Sequence, residues 1–139
     1  MNSEHGTLSL FIRSQKFCKL DCVALIKTSE LTKEFLQEVN DNITESLKLY
    51  YDGKLITDTI SMIAIVCVDR ITPTFQKLVN SNIQQGLKNF RLPVGISFGG
   101  KKIYISKQKD GFAITKYKRL RKEFFKIMQI DIKNKQKKL

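Results

Sequence analysis

Three apolar segments in the first half of the chain have the character of β-strands. Residues 8–13 predict a short strand, and residues 22–28 predict a second, more apolar strand that suits the interior of a sheet. Residues 60–68 are continuously apolar except for Ser61, which is the pattern of a strand covered by helices on both faces. We therefore predict that the segment 60–68 lies at the centre of the sheet.

A four-residue spacing of apolar side chains predicts two helices between and after these strands. The first covers 29–50, with Ser29 as its N-cap and a turn at Asp52-Gly53 after its end. The second opens at Thr72-Pro73, since proline favours the first helical position, and ends near Asn89. The apolar positions that recur every four residues are Leu31, Phe35, Val39, Ile43 and Leu47 in the first helix and Phe75, Val79, Ile83 and Leu87 in the second.

The remaining sequence predicts a hairpin and a third helix. Residues 92–98 and 102–107 are strand-like, and Gly99-Gly100 between them suits a tight turn that tolerates positive φ. Pro93 has no amide hydrogen, so we expect it at the start of its strand or on a sheet edge. The third helix covers 113–129.

The third helix is amphipathic and basic. On a helical wheel its apolar arc contains Ala113, Ile114, Tyr117, Leu120, Phe124, Phe125, Ile127 and Met128, and the opposite side carries Lys118, Arg119, Lys122 and Lys126. Arg121 falls inside the apolar arc. We expect it to extend along the edge of the core, to pair with a carboxylate of the domain body, or to mark an interface.

The predicted order is strand, strand, helix, strand, helix, hairpin, helix, which indicates a single small α/β domain with a mixed sheet flanked by helices. The domain covers residues 1–130. Residues 131–139 are almost entirely polar and predict a basic, disordered tail.

From Cys22 onward, this order resembles the thioredoxin-like arrangement, including a proline at the beginning of the penultimate strand in Leu92-Pro93-Val94. The redox function of that family rests on a Cys-x-x-Cys pair at the start of its first helix. This chain has the sequence Thr-Ser-Glu-Leu there, at 28–31. The resemblance therefore implies a possible fold arrangement and no thiol chemistry.

Composition and cysteine content favour a cytoplasmic protein. The first eleven residues lack the basic segment and long apolar stretch of a secretory signal, and no apolar run approaches the roughly 20 residues that a membrane-spanning helix needs. Cys18, Cys22 and Cys67 make an odd number, which favours reduced thiols over a disulfide framework.

The net charge is concentrated at one end of the chain. Of a total of +12, residues 100–139 contribute +11, because 12 Lys and 2 Arg stand there against Asp110, Glu123 and Asp131. An AT-rich coding sequence would account for many lysines, but it accounts poorly for their crowding at one end. A field of this kind attracts polyanions.

We therefore expect a noncatalytic binding module that docks on DNA or RNA without sequence specificity, with Tyr104 and Phe112 near enough to stack on unpaired bases. The candidate nucleic-acid-binding residues are Lys101, Lys102, Lys107, Lys109, Lys116, Lys118, Arg119, Lys122 and Lys126. A solvated helix face is the alternative interpretation of the same residues. A second functional hypothesis is a subunit of a larger assembly, in which an acidic protein partner covers this surface.

A possible anion or ligand pocket follows from the rule that ligands gather beyond the carboxyl ends of parallel strands. If the second and third strands are parallel, their ends bring together Lys27, Ser29, Asp69, Arg70 and Thr72. The alternative is that Asp69 only caps the turn and pairs with Arg70 or Lys27.

Catalytic chemistry has weaker support in the sequence. A small Mg²⁺-dependent nuclease is a third hypothesis, with Asp52 and Asp69 as candidate carboxylates. Cys18 and Cys22 lack the further ligands that a zinc site needs, and no glycine-rich phosphate loop leads from a strand into a helix. No metal or other cofactor is expected.

Overall fold

The computed structural model describes residues 2–54, 56–81, 84–85, 89–98, 102–106 and 114–137. The strands are β1 (Asn2–Ser3), β2 (Gly6–Lys16), β3 (Lys19–Lys27), β4 (Thr59–Val68), β5 (Gln84–Gln85), β6 (Asn89–Ser97) and β7 (Ile103–Ile105). The helices are α1 (Lys33–Tyr50), α2 (Pro73–Ser81) and α3 (Ile114–Lys137). The predicted α/β class and element order are confirmed.

One mixed sheet has the order β1-β2-β3-β4-β6-β5, with β7 also paired to β6. β2 and β3 are antiparallel, whereas β3, β4 and β6 are parallel, and β7 returns antiparallel to β6. The predicted central strand is confirmed, because β4 hydrogen-bonds to β3 on one side and to β6 on the other.

The helices cover the two faces of the sheet unequally. The crossovers β3-α1-β4 and β4-α2-β6 proceed in the same direction across the sheet, so their shared handedness puts α1 and α2 on one face. Their core includes Phe35, Val39 and Phe75, packed on Ala24 and Val66 of the sheet. A second cluster of buried residues lies on the opposite face, where Leu120 and Phe124 of α3 pack against β4 and β6.

Helix α1 begins later than predicted. Its N-cap is Thr32, whose Oγ1 accepts a hydrogen bond from the amide of Phe35 at 3.1 Å. Ser29 instead accepts a backbone hydrogen bond from Asp69 at 3.1 Å, which ties the loop after β3 to the loop after β4. The predicted turn at Asp52-Gly53 is confirmed, and both residues have positive φ.

Helix α2 begins as predicted, with Thr72 Oγ1 accepting from the amide of Phe75 at 3.1 Å. The prediction that it continues to Asn89 is wrong, because α2 ends at Ser81 and Asn89 already pairs with Ile60 in the sheet. Ile83 and Leu87, which suggested the longer helix, lie outside the described residues.

Pro93 lies inside β6 rather than at its start. It pairs with Ala64 of β4, and its carbonyl accepts a hydrogen bond from Ser106 on the opposite side. The amide and the carbonyl of one strand residue point to the same side. The amide hydrogen that Pro93 lacks would therefore point away from β4, and its absence removes no hydrogen bond between β4 and β6. Its preceding peptide bond is trans, as are all peptide bonds of the described residues.

The C-terminal elements are arranged as a strand pair followed by a long helix. β6 and β7 are antiparallel, and the amide of Ser97 donates to the carbonyl of Lys102 at 3.0 Å. The Gly99-Gly100 turn lies outside the described residues. α3 does not end near Gln129 but continues to Lys137, through most of the segment for which a disordered tail is predicted.

Candidate nucleic-acid interface

Helix α3 is fixed to the sheet by one apolar side. Leu120 and Phe124 are fully buried, and Tyr117, Ile127 and Met128 pack around them. The hydroxyl of Tyr117 donates to the carbonyl of Ser106 at 3.0 Å, which joins the beginning of the helix to the end of β7. This packing determines which residues of α3 face outward.

Three of the predicted lysines form an exposed stripe. Lys118, Lys122 and Lys126 are each exposed and lie four residues apart, so they follow one side of the helix. With a rise of 1.5 Å per residue, the stripe is about 12 Å long. Among the ion pairs between described residues, none involves these three lysines. We call them the lysine stripe.

Arg119 has a different environment from the one predicted. Its guanidinium lies 3.6 Å from a carboxylate oxygen of Asp21 and 3.6 Å from one of Glu123, and it donates to the hydroxyl of Ser61 at 3.1 Å. It therefore connects α3 to β3 and β4. Arg119 is exposed like the lysines, with 44% of its side chain accessible, but two carboxylates and a strand hydroxyl hold it at the rim of the sheet.

Arg13 completes this ionic contact at the rim. Its Nη1 donates to Glu123 at 3.0 Å, so Glu123 lies between Arg13 of β2 and Arg119 of α3. Sequence reasoning missed the group, because its members are far apart in the chain. The available signal was Glu123, an acidic residue that stands among the basic residues 116–126.

Arg121 does not face the core. It is exposed, and its guanidinium carbon lies 5.9 Å from the ring centroid of Phe125, which is itself 42% exposed. The buried arc of the helix is therefore narrower than the wheel predicts. Phe125 and Arg121 add an accessible aromatic ring and a further cation beside the lysine stripe.

The other predicted binding residues are distributed differently. Lys102 is exposed on the strand pair β6–β7, and Lys116 is half-buried. Lys101, Lys107, Lys109 and Phe112 lie outside the described residues. Tyr104 packs on the side of the sheet that α1 and α2 cover. Its hydroxyl accepts a hydrogen bond from Nδ2 of Asn80 at 2.8 Å and lies 3.1 Å from Oδ1 of the same side chain. Tyr104 is therefore not a stacking platform beside the lysine stripe.

The second predicted site, at the carboxyl ends of β3 and β4, is a real concavity. The two strands are parallel, and a cavity of about 410 Å³ is lined by Ser29, Asp69, Arg70 and Thr72, which are four of the five predicted residues. Lys27 is exposed and is not part of the lining. Glu30 also lines the cavity, so two carboxylates share it with the one arginine.

Asp52 and Asp69 occupy opposite ends of the sheet. Asp52 follows α1, near the start of β4, whereas Asp69 follows the end of β4. At about 3.3 Å per residue, the ten residues of this strand separate the two ends by roughly 30 Å. The two carboxylates therefore cannot share one Mg²⁺ ion.

Two thiols are held in the protonated form by their surroundings. Burial raises the pKa of Cys22 to about 12, and burial likewise raises the pKa of Cys67. Cys18 is exposed, in a turn with positive φ. Among the side chains that the structure describes, no group of three or more His, Cys, Asp or Glu residues could hold a metal ion.

No described helix has both the length and the apolar character needed to cross a membrane. Comparison of the chain with models of known protein families, with curated protein sequences and with solved structures gives no match.

Proposed function

We propose that this protein is a noncatalytic, cytoplasmic module that docks on nucleic acid through α3 and the adjoining strand pair β6–β7. The observation that carries the proposal is the lysine stripe: three exposed ammonium groups in line on a helix whose other side is anchored to the sheet. Lysines at such spacing contact phosphates, which are common to every sequence.

The residues around the stripe support a preference for unpaired strands. Phe125 is exposed next to the stripe, and its ring has a face available to a base. Stacking of bases on aromatic rings tolerates any sequence and is absent from intact duplexes. Arg121 over the same ring adds a cation that reaches phosphate or base.

The experiment measures binding of labelled single-stranded and double-stranded DNA and RNA at about 50 and about 200 mM salt. The test variant replaces Lys118, Lys122 and Lys126 with Gln. Because each lost phosphate contact changes the slope of log affinity against log salt by about 0.7 for single strands, the variant is expected to have a slope about 2 less steep.

A matched control replaces Lys33, Lys48 and Lys77 with Gln. These lysines are also exposed and their removal changes the net charge equally, but they belong to α1 and α2 on the opposite face. The control should keep most of the affinity and the wild-type slope. Equal losses in both variants would show a diffuse effect of net charge and would overturn the proposed interface.

A Phe125→Ala change tests the stacking contact separately. It should weaken single-strand binding by about tenfold, since stacking on one base contributes about 1–3 kcal/mol, and should leave the salt slope and duplex binding nearly unchanged. An equal loss for duplex and single strand would contradict the proposed preference.

An acidic protein partner is the second candidate, because apolar surface is accessible on the same side of the sheet. Phe11 is 53% exposed, and its neighbour Val23 is only half-buried. A partner that covers both this surface and the lysine stripe would bind by apolar contact as well as by charge. Absence of any nucleic-acid binding at low salt would favour this candidate over the first.

A further inference from the structure

Strand β2 forms the outer edge of the sheet over most of its length. Its pairing with β1 involves only Gly6 and Thr7, whereas β2 continues to Lys16. An unpaired edge presents backbone amides and carbonyls to which another strand can bind. The segment 7–12 has neither the charged residues nor the proline that commonly protect such an edge, and a shift of register follows only at 12–14.

The backbone groups of Leu10 and Ile12 point to this outer edge. The amide of Thr28, directly after β3, donates to β4 at 3.0 Å, and the backbone groups of successive strand residues alternate in direction. Those of Lys27 therefore point to β2, where its register partner is Thr7. Leu10 and Ile12 are an odd number of residues from Thr7, so their amides and carbonyls point away from β3. Among the hydrogen bonds between described residues, none uses these outward groups.

A groove of about 520 Å³ lies beside this edge, between β2 and α1. Its lining from β2 includes Leu10 and Ile12, and its lining from α1 includes Asn42 and Tyr50. A strand added to the edge would place every second side chain in this groove, because side chains alternate between the two faces of a sheet. The other side chains would lie beside Phe11, which is 53% exposed on the α3 face.

The rim of the groove on α1 is acidic. Glu38 lies four residues before Asn42 and Glu45 lies three residues after it, so both carboxylates are neighbours of a lining residue. Among the ion pairs between described residues, none involves Glu38 or Glu45. In a chain of net charge +12, this local negative charge favours a cationic occupant. It disfavours a second copy, because two-fold pairing of β2 edges keeps both α1 helices on one face and brings their acidic rims together.

We propose that the β2 edge binds an extended peptide of a partner protein in which basic side chains alternate with apolar ones. The peptide adds a strand to the sheet through hydrogen bonds with Leu10 and Ile12. Its basic side chains lie in the groove, where their aliphatic stems contact Tyr50 and their charges approach Glu38. Its apolar side chains contact Phe11. This site is independent of the proposed nucleic-acid interface, because the lysine stripe attracts ligands of the opposite charge.

The experiment titrates the full chain with two heptapeptides, one of alternating lysine and valine and one of alternating glutamate and valine. Backbone NMR signals of residues 8–16 locate the binding. We expect saturable shifts in this segment with the lysine peptide, and about tenfold weaker binding of the glutamate peptide there. Absence of saturable shifts with the lysine peptide, or equal binding of the two peptides at this segment, would overturn the proposal.

N-methylation of the lysine peptide tests the backbone pairing without any change to the protein. Methyl groups on one alternate set of amides block one edge of the extended peptide, and methyl groups on the other set block the opposite edge. Because only one edge of the peptide faces β2, one methylated peptide should keep the parent affinity and the other should bind about fivefold more weakly. Equal affinities of the two methylated peptides would overturn the added strand.

Two matched variants test the charge of the rim. Glu38→Gln should weaken binding of the lysine peptide about three- to fivefold. Asp41→Asn removes the same charge from α1, but this carboxylate accepts a hydrogen bond from Gln37 and should change the affinity less than about twofold. Equal losses would reduce the attraction to net charge and overturn the proposed rim. Sedimentation should show a monomer; a dimer that must dissociate before the peptide binds would assign the edge to a second copy instead.

Discussion

The two sides of strand β3 show how differently the two faces of the sheet are covered. Side chains directed at α1 and α2 are at most 2% exposed, whereas those directed at the α3 face are only half-buried. The first set is Leu20, Cys22, Ala24 and Ile26, and the second is Asp21, Val23 and Leu25. One face is closed by two helices that the chain must form to cross between parallel strands, and the other by a single helix added at the end.

This difference explains where the basic residues lie. A single helix cannot cover the whole sheet, so α3 packs mainly over β4 and β6. The ionic contact of Arg13, Glu123 and Arg119 connects it to β2 and β3. The opposite side of α3 is exposed and carries the lysine stripe. The closed face supplies most of the core, while the partly open face supplies the accessible charge.

The largest expected effect comes from removing the main anchor of α3. Phe124→Ala should lower the free energy of unfolding by about 3–5 kcal/mol, because the ring is fully buried and its loss leaves a cavity. Phe125→Ala is the adjacent control: that ring is 42% exposed, and its loss should cost less than about 1 kcal/mol. Chemical denaturation measures both. Similar losses for the two would show that the orientation of α3 is different.

The closed face should be sensitive to added volume. A Cβ on Gly95 would lie 2.3 Å from Cε1 of Phe75, so Gly95→Ala must displace a ring packed in the core under α2. We expect a loss of about 1–3 kcal/mol. Combining it with Phe75→Leu, which removes the clashing atoms, should make the double variant more stable than the sum of the two single changes predicts. Strict additivity in denaturation experiments would contradict this contact.

The buried thiol of the closed face predicts a dependence on alkaline pH. Burial raises the pKa of Cys22 from 9.0 to about 12, so above pH 9 the unfolded chain loses this proton first. The folded protein then binds more protons, and stability falls as pH rises towards 12, by about 1.4 kcal/mol per pH unit from this group. A comparison of wild type with Cys22→Val at pH 8 and 10 isolates the effect. An equal decline in both proteins would assign it to other groups.

The closed face could be predicted from the sequence because its signals are local. The four-residue spacing that ends at Leu47 and the continuous apolar run 60–68 each report burial of a single element. The capping residue was misplaced by three positions, since Ser29 and Thr32 are both N-cap residue types, and the tertiary contact of Ser29 with Asp69 determines which one serves.

The candidate sites could be predicted only where charge and periodicity coincide. The lysine stripe follows from the four-residue spacing of Lys118, Lys122 and Lys126. The position of the Arg119 guanidinium at the rim depends on Asp21 and Ser61, which come close to it only in the folded sheet. The burial of Arg91, the one charged residue in the run 90–96, also depends on the folded sheet, because its partner Asn40 belongs to α1.

The smallest expected effect tests whether the ionic contact at the rim holds α3. Arg119→Gln removes its contacts with Asp21 and Glu123, but Arg119 is 44% exposed and solvent screens the interaction, so the loss should be about 1 kcal/mol or less. The loss should shrink at high salt, because it is electrostatic. Lys122→Gln, on the lysine stripe of the same helix, should change stability by less than about 0.5 kcal/mol. A double-mutant cycle with Asp21→Asn, which removes the partner of Arg119 on β3, should give a small favourable coupling energy. A cycle with no coupling energy would contradict a stabilising contact between Arg119 and β3.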